Sequence, residues 1–414
     1  MADNVIVLGA GIVGLSIACQ LASRGREVLL LDRQLDFRST SYGNAGLIQT
    51  ECVRPYSFPR DLAALWKIAG NRSPQACYDL WALPGYASPL LRYWWHSEPS
   101  RFLKIMADYA TLIGLAAECH AEMSEAASCR HLIQKQGWIK FYHSEAAFQA
   151  GSAEATEREE NFGIRHEKLD GRALQALEPA FSAGIAGAIH WIDAWSVTDT
   201  GALLHAYADH FRALGGRITL GDAMALRRKE RGWEVTGEDG AIFAPEVVVA
   251  LGPWSGSLVR RLGYRVPLFT KRGYHAHFAV EAGAMPSHPL SDVENGYVLA
   301  PMRDSIRLTA GVEFARPDAP PNLSILAKAE AAARRVYPLG QRLDATPWMG
   351  ARPCMPDMKP VIGRASGHAG LWLAFGHGHQ GLTLGPATGK LMAAMMCGEP
   401  PPINPAPFDP ARLG

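Results

Sequence analysis

Three glycines and one acid near the N-terminus carry the first chemistry of this chain. In Asn4-Val5-Ile6-Val7-Leu8-Gly9-Ala10-Gly11-Ile12-Val13-Gly14 an apolar strand runs into Gly-x-Gly-x-x-Gly and a helical stretch follows. Glu27-Val28-Leu29-Leu30-Leu31-Asp32 then reads as a second strand ending on a carboxylate. Gly9 suits a tight turn off the strand, Gly11 a backbone that must approach a pyrophosphate, and Gly14 close packing of helix on sheet. Phosphates would sit at the helix N-terminus. Asp32 stands near the spacing of about 20 residues at which an acid accepts hydrogen bonds from a ribose 2′-hydroxyl. Ile12, Val13 and Arg33 flank these positions and join the expected nucleotide contacts.

The fingerprint leaves NAD and FAD open, because both carry an ADP half. An NAD-dependent dehydrogenase spends roughly its first 150 residues on one contiguous nucleotide domain, whereas here helix-rich, Trp-rich sequence interrupts from Glu51 onward. The same glycine spacing recurs in Gly376-His377-Gly378-His379-Gln380-Gly381, too near the C-terminus for a second strand with its own ribose acid to follow. That second motif needs a different use.

The elements that must position these residues alternate between strand and helix. Ser39-Thr40-Ser41-Tyr42-Gly43-Asn44-Ala45-Gly46 is a turn-rich loop whose small polar residues suit close contact with a cofactor. Residues 60–130 read as helices, with Arg101 to Ala127 apolar at helical spacing. Trp66, Trp81, Trp94 and Trp95 fall in this region and read as core or interface aromatics, a face resting on a membrane being the second reading. Gly137 to Tyr142 is a short strand, and Thr200 to Leu214 is an amphipathic helix that leads into a strand from Gly215 to Leu220. Val247 to Ser255 is an apolar, buried parallel strand ending in Gly252-Pro253-Trp254. Leu371 to Phe375 is a strand, Gly376 to Gly381 a turn and Pro386 to Met396 a helix; the Pro-rich stretch from Pro400 to Pro410 reads as a surface tail.

With 414 residues, 48% hydrophobic and 20% charged, the chain has core enough for about two domains. A net charge of +1 offers no basic surface for nucleic acid. No signal-peptide pattern precedes the first strand, and no apolar run reaches the roughly 18 residues of a spanning helix. The seven scattered cysteines fit reduced thiols in a cytoplasmic protein, one that could rest on the inner membrane. His275/His277 and His377/His379 are close histidine pairs without clustered cysteines or carboxylates, so no metal is expected.

Taken in order, the Gly9–Gly14 fingerprint, the Ser39–Gly46 loop, Ala250-Leu251-Gly252-Pro253-Trp254-Ser255, Arg352-Pro353, Pro360-Val361-Ile362-Gly363 and Gly376 to Gly381 resemble the D-amino-acid oxidase superfamily of flavoenzymes, and most of all its bacterial D-amino-acid and D-hydroxyproline dehydrogenases. The resemblance spans nearly the whole chain. It implies an α/β, two-domain fold: a Rossmann-like FAD-binding domain (1–60, 190–262 and 345–402) with an inserted, discontinuous antiparallel-sheet substrate domain (61–189 and 263–344), and a tail over 403–414. It also implies noncovalent FAD, held by Gly9, Gly11, Ile12, Val13, Gly14, Asp32 and Arg33, by Ser39, Ser41, Asn44, Ala45 and Gly46, by Gly252 and Trp254, and by Gly376, His377, Gly378, His379, Gln380, Gly381, Leu382 and Thr383. In the last set the helix amides and dipole would face the flavin pyrimidine, where charge collects on reduction.

The same resemblance makes Arg352 the bidentate clamp for a substrate carboxylate, a task that suits a planar guanidinium. It makes Tyr297 a second donor and places Tyr274 and His275 along the outer face of the ring. No general base is expected, since hydride can pass from Cα of a neutral amine to flavin N5. Cys354 sits where sarcosine oxidases attach flavin, but its spacing departs from theirs and it reads as a free thiol. The implied reaction is oxidation of a D-amino acid or a cyclic D-imino acid such as cis-4-hydroxy-D-proline. A glycine- or sarcosine-type oxidase and a flavin-binding subunit of a larger dehydrogenase complex are the alternatives. Oxygen, a quinone or a partner protein would each serve as electron acceptor.

Overall fold

The computed structural model describes residues 4–413 apart from 62–65, 67–69, 72–75, 183, 282, 317 and 318. The runs of Val, Ile and Leu become central parallel strands: Asn4–Leu8 lies between Glu27–Asp32 and Glu246–Val249, and Leu371–Phe375 pairs beyond the latter. Nearly every residue of the four is buried, as strands covered on both faces must be. Arg217–Lys229 extends the sheet, parallel to Glu27–Asp32 through Leu220 and then antiparallel to Gly232–Gly237. Gly240–Ala244 and Val361–Arg364 form the edges of this 8-stranded sheet.

The helix Ile12–Ala22 packs so closely on Gly381–Cys397 that glycine is required at two positions of the latter. A Cβ on Gly385 would stand 2.7 Å from Cγ1 of Ile12, and one on Gly389 2.7 Å from the Ser16 carbonyl carbon. Both helices leave glycine turns at the carboxyl ends of parallel strands, the edge where open α/β sheets bind ligands. Gly381–Cys397 starts five residues before the expected Pro386 and carries that proline inside it. Pro386 has no N–H for the Leu382 carbonyl, and the buried His120 ring supplies the missing donor, Nε2 to O at 2.9 Å.

The second sheet has ten strands and is mostly antiparallel. Phe269–Val280 pairs on one side with Ile306–Phe314, which continues to Tyr297–Pro301, and on another with Trp348–Cys354, in unbroken register from Phe269↔Cys354 to His275↔Trp348. Trp348–Cys354 was expected on the nucleotide side of a border at 345; its pairing puts it in the second sheet, because the strand it completes lies across from it rather than next to it in sequence.

Other expectations are corrected in the same way. The helical reading of 60–130 holds for Leu83–His96, Pro99–Gly114 and Ala116–Ala126, while Ala76–Tyr78 is a strand paired with Ile306–Phe314; the rest of that reading falls partly on residues outside the description. The four tryptophans are not core: Trp66 is 77% exposed, Trp81 82%, Trp95 53% and Trp94 36%. The expected surface tail is pinned, with Phe408 fully buried and Arg412 donating to the carbonyls of Lys359 and Pro360.

Candidate active site

At the first glycine turn the fold itself demands two of the three glycines. A Cβ on Gly9, at φ +107°, would lie 2.5 Å from the Ala250 carbonyl oxygen, and one on Gly14 would collide with the Gly9 carbonyl. Gly11 is different. Its φ of −74° suits any residue, and a Cβ there would meet only the Ser41 hydroxyl, at a tight 3.2 Å, so a side chain needs that hydroxyl to shift but no backbone to move. A ligand that must touch the main chain would require the glycine. Asp32 faces the same turn, accepting from Ala10 N–H at 2.6 Å and Arg33 N–H at 2.7 Å, and the Arg33 guanidinium stacks 4.0 Å from the Trp254 ring. Ile12 and Leu382 bury their side chains in the core and Val13 packs against it, so these residues offer main chain only.

The Ser39–Gly46 loop ties the two glycine turns together. Ser41 Oγ accepts from Ile12 N–H at 3.0 Å; Asn44 donates through Nδ2 to the His379 carbonyl at 3.3 Å and accepts from Gly46 N–H at 2.9 Å. Arg307, which sequence reasoning missed, anchors this loop from the second sheet. It is buried and donates to the carbonyls of Tyr42 (2.9 Å) and Asn44 (2.6 Å) and, through Nε, to His277 Nε2 (3.0 Å). At the second turn, Gly376 and Gly378 have φ of +87° and +59°, and Gly378 N–H reaches the Pro353 carbonyl at 2.7 Å. The helix from Gly381 opens with no side-chain cap and no acid in its first turn, which leaves its amides available to an electronegative group. His377 turns inward to Thr388 Oγ1 (2.9 Å) and Thr383 donates to the Leu47 carbonyl (3.2 Å), so those two side chains support the turn rather than line it.

Strand register builds the remainder. On one face of the Phe269–Val280 and Trp348–Cys354 pair lie Phe269, Lys271, Gly273 and His275, opposite Cys354, Arg352, Gly350 and Trp348. Trp348 packs over Gly350 and Gly43 and stacks on His275 at 4.9 Å, closing the end beside the Ser39–Gly46 loop. The Arg352 guanidinium lies across Gly273, where a Cβ would come within 2.5 Å of Nη2, and Nη1 donates to the Gly311 carbonyl at 3.0 Å. Burial pulls the Arg352 guanidinium below its ordinary value, and it remains a cation. The Tyr56 ring meets the His379 ring at 4.5 Å nearby. Burial first, then Arg307 and His277, hold the His275 ring down to about 2; burial and the cations Arg352, Lys271 and Lys140 hold His379 to about 3, so both rings are neutral.

Tyr274 and Tyr297 are not brought to this face. Both align with Ala310 across their neighbouring strands, and both are 1% exposed in the apolar core behind the sheet with Ile325, Leu326 and Ala329. Tyr274 hydrogen-bonds Glu313, whose partner is the buried Arg272 at 3.0 Å. Alternation decides this: His275 and Arg352 share a face from which Tyr274, one residue away, must point oppositely.

The chain belongs to the DAO family of FAD dependent oxidoreductases, whose profile matches residues 4–395. It is therefore an FAD-dependent oxidoreductase, and FAD is the dinucleotide that the fingerprint left open. It is similar to the D-amino acid dehydrogenase of Chromohalobacter salexigens, 29% identical over 432 residues and 99% of each chain, and to the glycine oxidase of Pseudomonas putida, 27% identical over 417 residues and 100% of each. The crystal structure of glycine oxidase from Geobacillus kaustophilus shares the fold with a TM-score of 0.75 at 19% identity, covering 100% of this chain and 99% of that one. The residues present fit the cofactor: Gly11 is glycine where no backbone neighbour demands it, and the second turn presents free helix amides.

Proposed function

We propose that this enzyme oxidises the Cα–N bond of an amino acid, either a D-amino acid or a cyclic D-imino acid such as cis-4-hydroxy-D-proline, to the corresponding imino acid. The observation that carries the reading is Arg352, a cation held on a glycine floor with no carboxylate partner among the described residues, beside His379 of the second glycine turn. FAD, bound noncovalently, supplies the two-electron oxidant. The turn at Gly9 and Gly11 would hold its phosphates, with Gly14 letting the helix pack close behind, Asp32 would hold its ribose, and the amides at Gly381 to Thr383 would stabilise charge at the pyrimidine end. Cys354 supports noncovalent attachment, because burial holds its thiol in the protonated, unreactive form.

Arg352 grips the carboxylate and thereby aims Cα, while Trp348 and His275 close one end against water. Held to about 2 and 3, His275 and His379 are too weakly basic to take the ammonium proton, so the substrate gives that proton to solvent and binds as the neutral amine. An acyclic imine then hydrolyses to a 2-oxo acid; a cyclic one leaves as a pyrroline carboxylate. The name of the Pseudomonas putida relative favours a glycine-type oxidase as the second reading. The test is anaerobic reduction of the bound flavin by a panel of D-amino acids, cis-4-hydroxy-D-proline, glycine and sarcosine. Bleaching by D-amino or D-imino acids is the expected result; bleaching by glycine and sarcosine alone selects the second reading, and none at all leaves a flavin-binding subunit.

Among the described residues no helix is long and apolar enough to cross a membrane. We infer that the exposed Trp81, Trp94 and Trp95, with Leu91 and Leu103, rest on an anionic bilayer surface. Basic residues support this, since Arg60 and Arg101 lie 4.1 and 3.6 Å over the rings of Trp94 and Trp95. Co-sedimentation with phosphatidylglycerol vesicles, lost in Trp81→Ser/Trp95→Ser, is the expected outcome, and equal recovery of both proteins in the supernatant would refute it.

A further inference from the structure

The face that carries Arg352 carries a second cation. Lys271 stands directly opposite Arg352 in the register of the two strands, on the same side of the sheet. Its ammonium sits 4.3 Å from the Tyr93 ring centre, with Phe269 and Phe314 at 5.5 and 5.9 Å, and donates to the Tyr93 hydroxyl at 3.3 Å. The aromatic cradle holds the ammonium itself, and the residue as a whole is half-buried beside the site.

Like charges directly opposite each other across two strands are destabilising, and buried or half-buried cations are ordinarily paired. This chain follows that rule at several other sites: Arg272 has Glu313, Arg26 has Glu246, Arg158 has Glu154, Lys359 has Asp108 and Arg412 has Asp357, while the buried Arg307 is satisfied instead by the Tyr42 and Asn44 carbonyls and His277. Among the described residues neither Lys271 nor Arg352 has a carboxylate within ion-pair distance; their polar partners are the Tyr93 hydroxyl and the Gly311 carbonyl. The neighbouring His379 ring feels Arg352, Lys271 and Lys140, all of one sign. Burial pushes the carboxyl of Glu51, the acid near Lys140, above its ordinary range, so it does not decide between the cations; what singles out Lys271 is its place directly opposite Arg352 in the strand register.

We propose that Lys271 is the recognition group for a second carboxylate, so that the preferred substrate is an acidic amino acid with one carboxylate on Arg352 and a side-chain carboxylate on Lys271. The proposal rests on the amino-acid reading of the site and names its substrate class. Guanidinium and ammonium diverge: the first leans over Gly273 and the second lies toward Phe269 and Phe314. Two anionic groups on one small molecule can therefore reach them separately. An aliphatic D-amino acid would fill the first position and leave the second cation without a partner.

Succinate and butyrate have the same carbon chain and differ in one carboxylate, so they isolate the second cation. With FAD-loaded enzyme, perturbation of the oxidised flavin spectrum measures their binding. Wild type is expected to bind succinate roughly 10- to 100-fold more tightly than butyrate, the range of one hydrogen bond between charged groups. Lys271→Met keeps an apolar stem in the cradle, and in it the ratio is expected to fall to near one, with Lys271→Arg restoring much of it. Anaerobic bleaching should run in parallel, with kcat/KM for D-glutamate over D-norvaline falling by a similar factor in Lys271→Met. Equal binding of the two acids by wild type, or equal weakening of both in Lys271→Met, overturns the proposal while leaving bleaching by D-norvaline intact. If no amino acid bleaches the flavin, the amino-acid reading has failed and this proposal falls with it.

Discussion

Among the described residues, no backbone demands that Gly11 be glycine and no carboxylate pairs with Arg352. For Gly11 this yields a sharp expectation: Gly11→Val should fold with a melting temperature near that of FAD-free wild type but purify without FAD, because its φ of −74° tolerates a side chain that the Ser41 hydroxyl can accommodate and the cofactor cannot. A yellow variant contradicts it. The buried histidines yield another. His120 is held down to about 4 and His377 to about 3 by burial, against an ordinary value of 6.5. In the unfolded chain these rings take up protons below about pH 6.5, whereas in the native state they do so only at their lower folded values. Their neutral burial therefore costs nothing above that pH, and stability is lost as pH falls from there toward 4 and 3, by up to about 1.4 kcal/mol per pH unit for each ring. Denaturation by urea should show this loss between pH 6.5 and 5. His120→Gln, whose amide can still donate to the Leu382 carbonyl, should shallow the slope by about one proton; an unchanged slope would assign the acid sensitivity elsewhere. Arg352 was singled out by the resemblance and not by its Arg-Pro context alone. Tyr274 and Tyr297 were placed on the wrong face and Lys271 was missed because the face a strand residue occupies is set by cross-strand partners that no local signal marks, Ala310 for both tyrosines and Arg352 for Lys271.

At the scale of elements, the site depends on two helices held side by side by small residues. Gly381–Cys397 and Ile12–Ala22 each begin at a cofactor-facing turn, and the absence of side chains at Gly385 and Gly389 sets their separation. Gly389→Leu should cost about 1–3 kcal/mol by overpacking against Ser16 and lower both the melting temperature and the FAD content together. Gly85→Ala, where a Cβ meets nothing within 4 Å, is the control and should leave both unchanged or slightly raised. FAD retention in Gly389→Leu at reduced stability would show that the helix pair does not position the turns. The strands at 4–8, 27–32, 247–249 and 371–375 were legible because apolar runs bounded by glycine have few alternatives. The start of the last helix was misjudged because Pro386 reads as a first-turn residue, and only the tertiary donor on His120 makes it tolerable further in.

In the whole molecule two sheets meet so that the face of the second that carries Arg352 lies toward the edge of the first that fits FAD. The order of the glycine motifs carried the fold, since each turn needs a residue type that packing rarely demands. The exposure of Trp81 and Trp95 was not legible, because helical periodicity does not say which side of a helix lacks a neighbour. The most direct test of the central claim is the rate of anaerobic flavin reduction by an amino acid and by its amide, in wild type and in Arg352→Ala. If Arg352 holds the carboxylate with charge-assisted bonds, its loss should weaken kcat/KM for the acid by about 2–5 kcal/mol, roughly 30- to 5,000-fold, with FAD still bound, and the amide should be affected far less. Equal loss on acid and amide, or normal kcat/KM for the acid in Arg352→Ala, would contradict it.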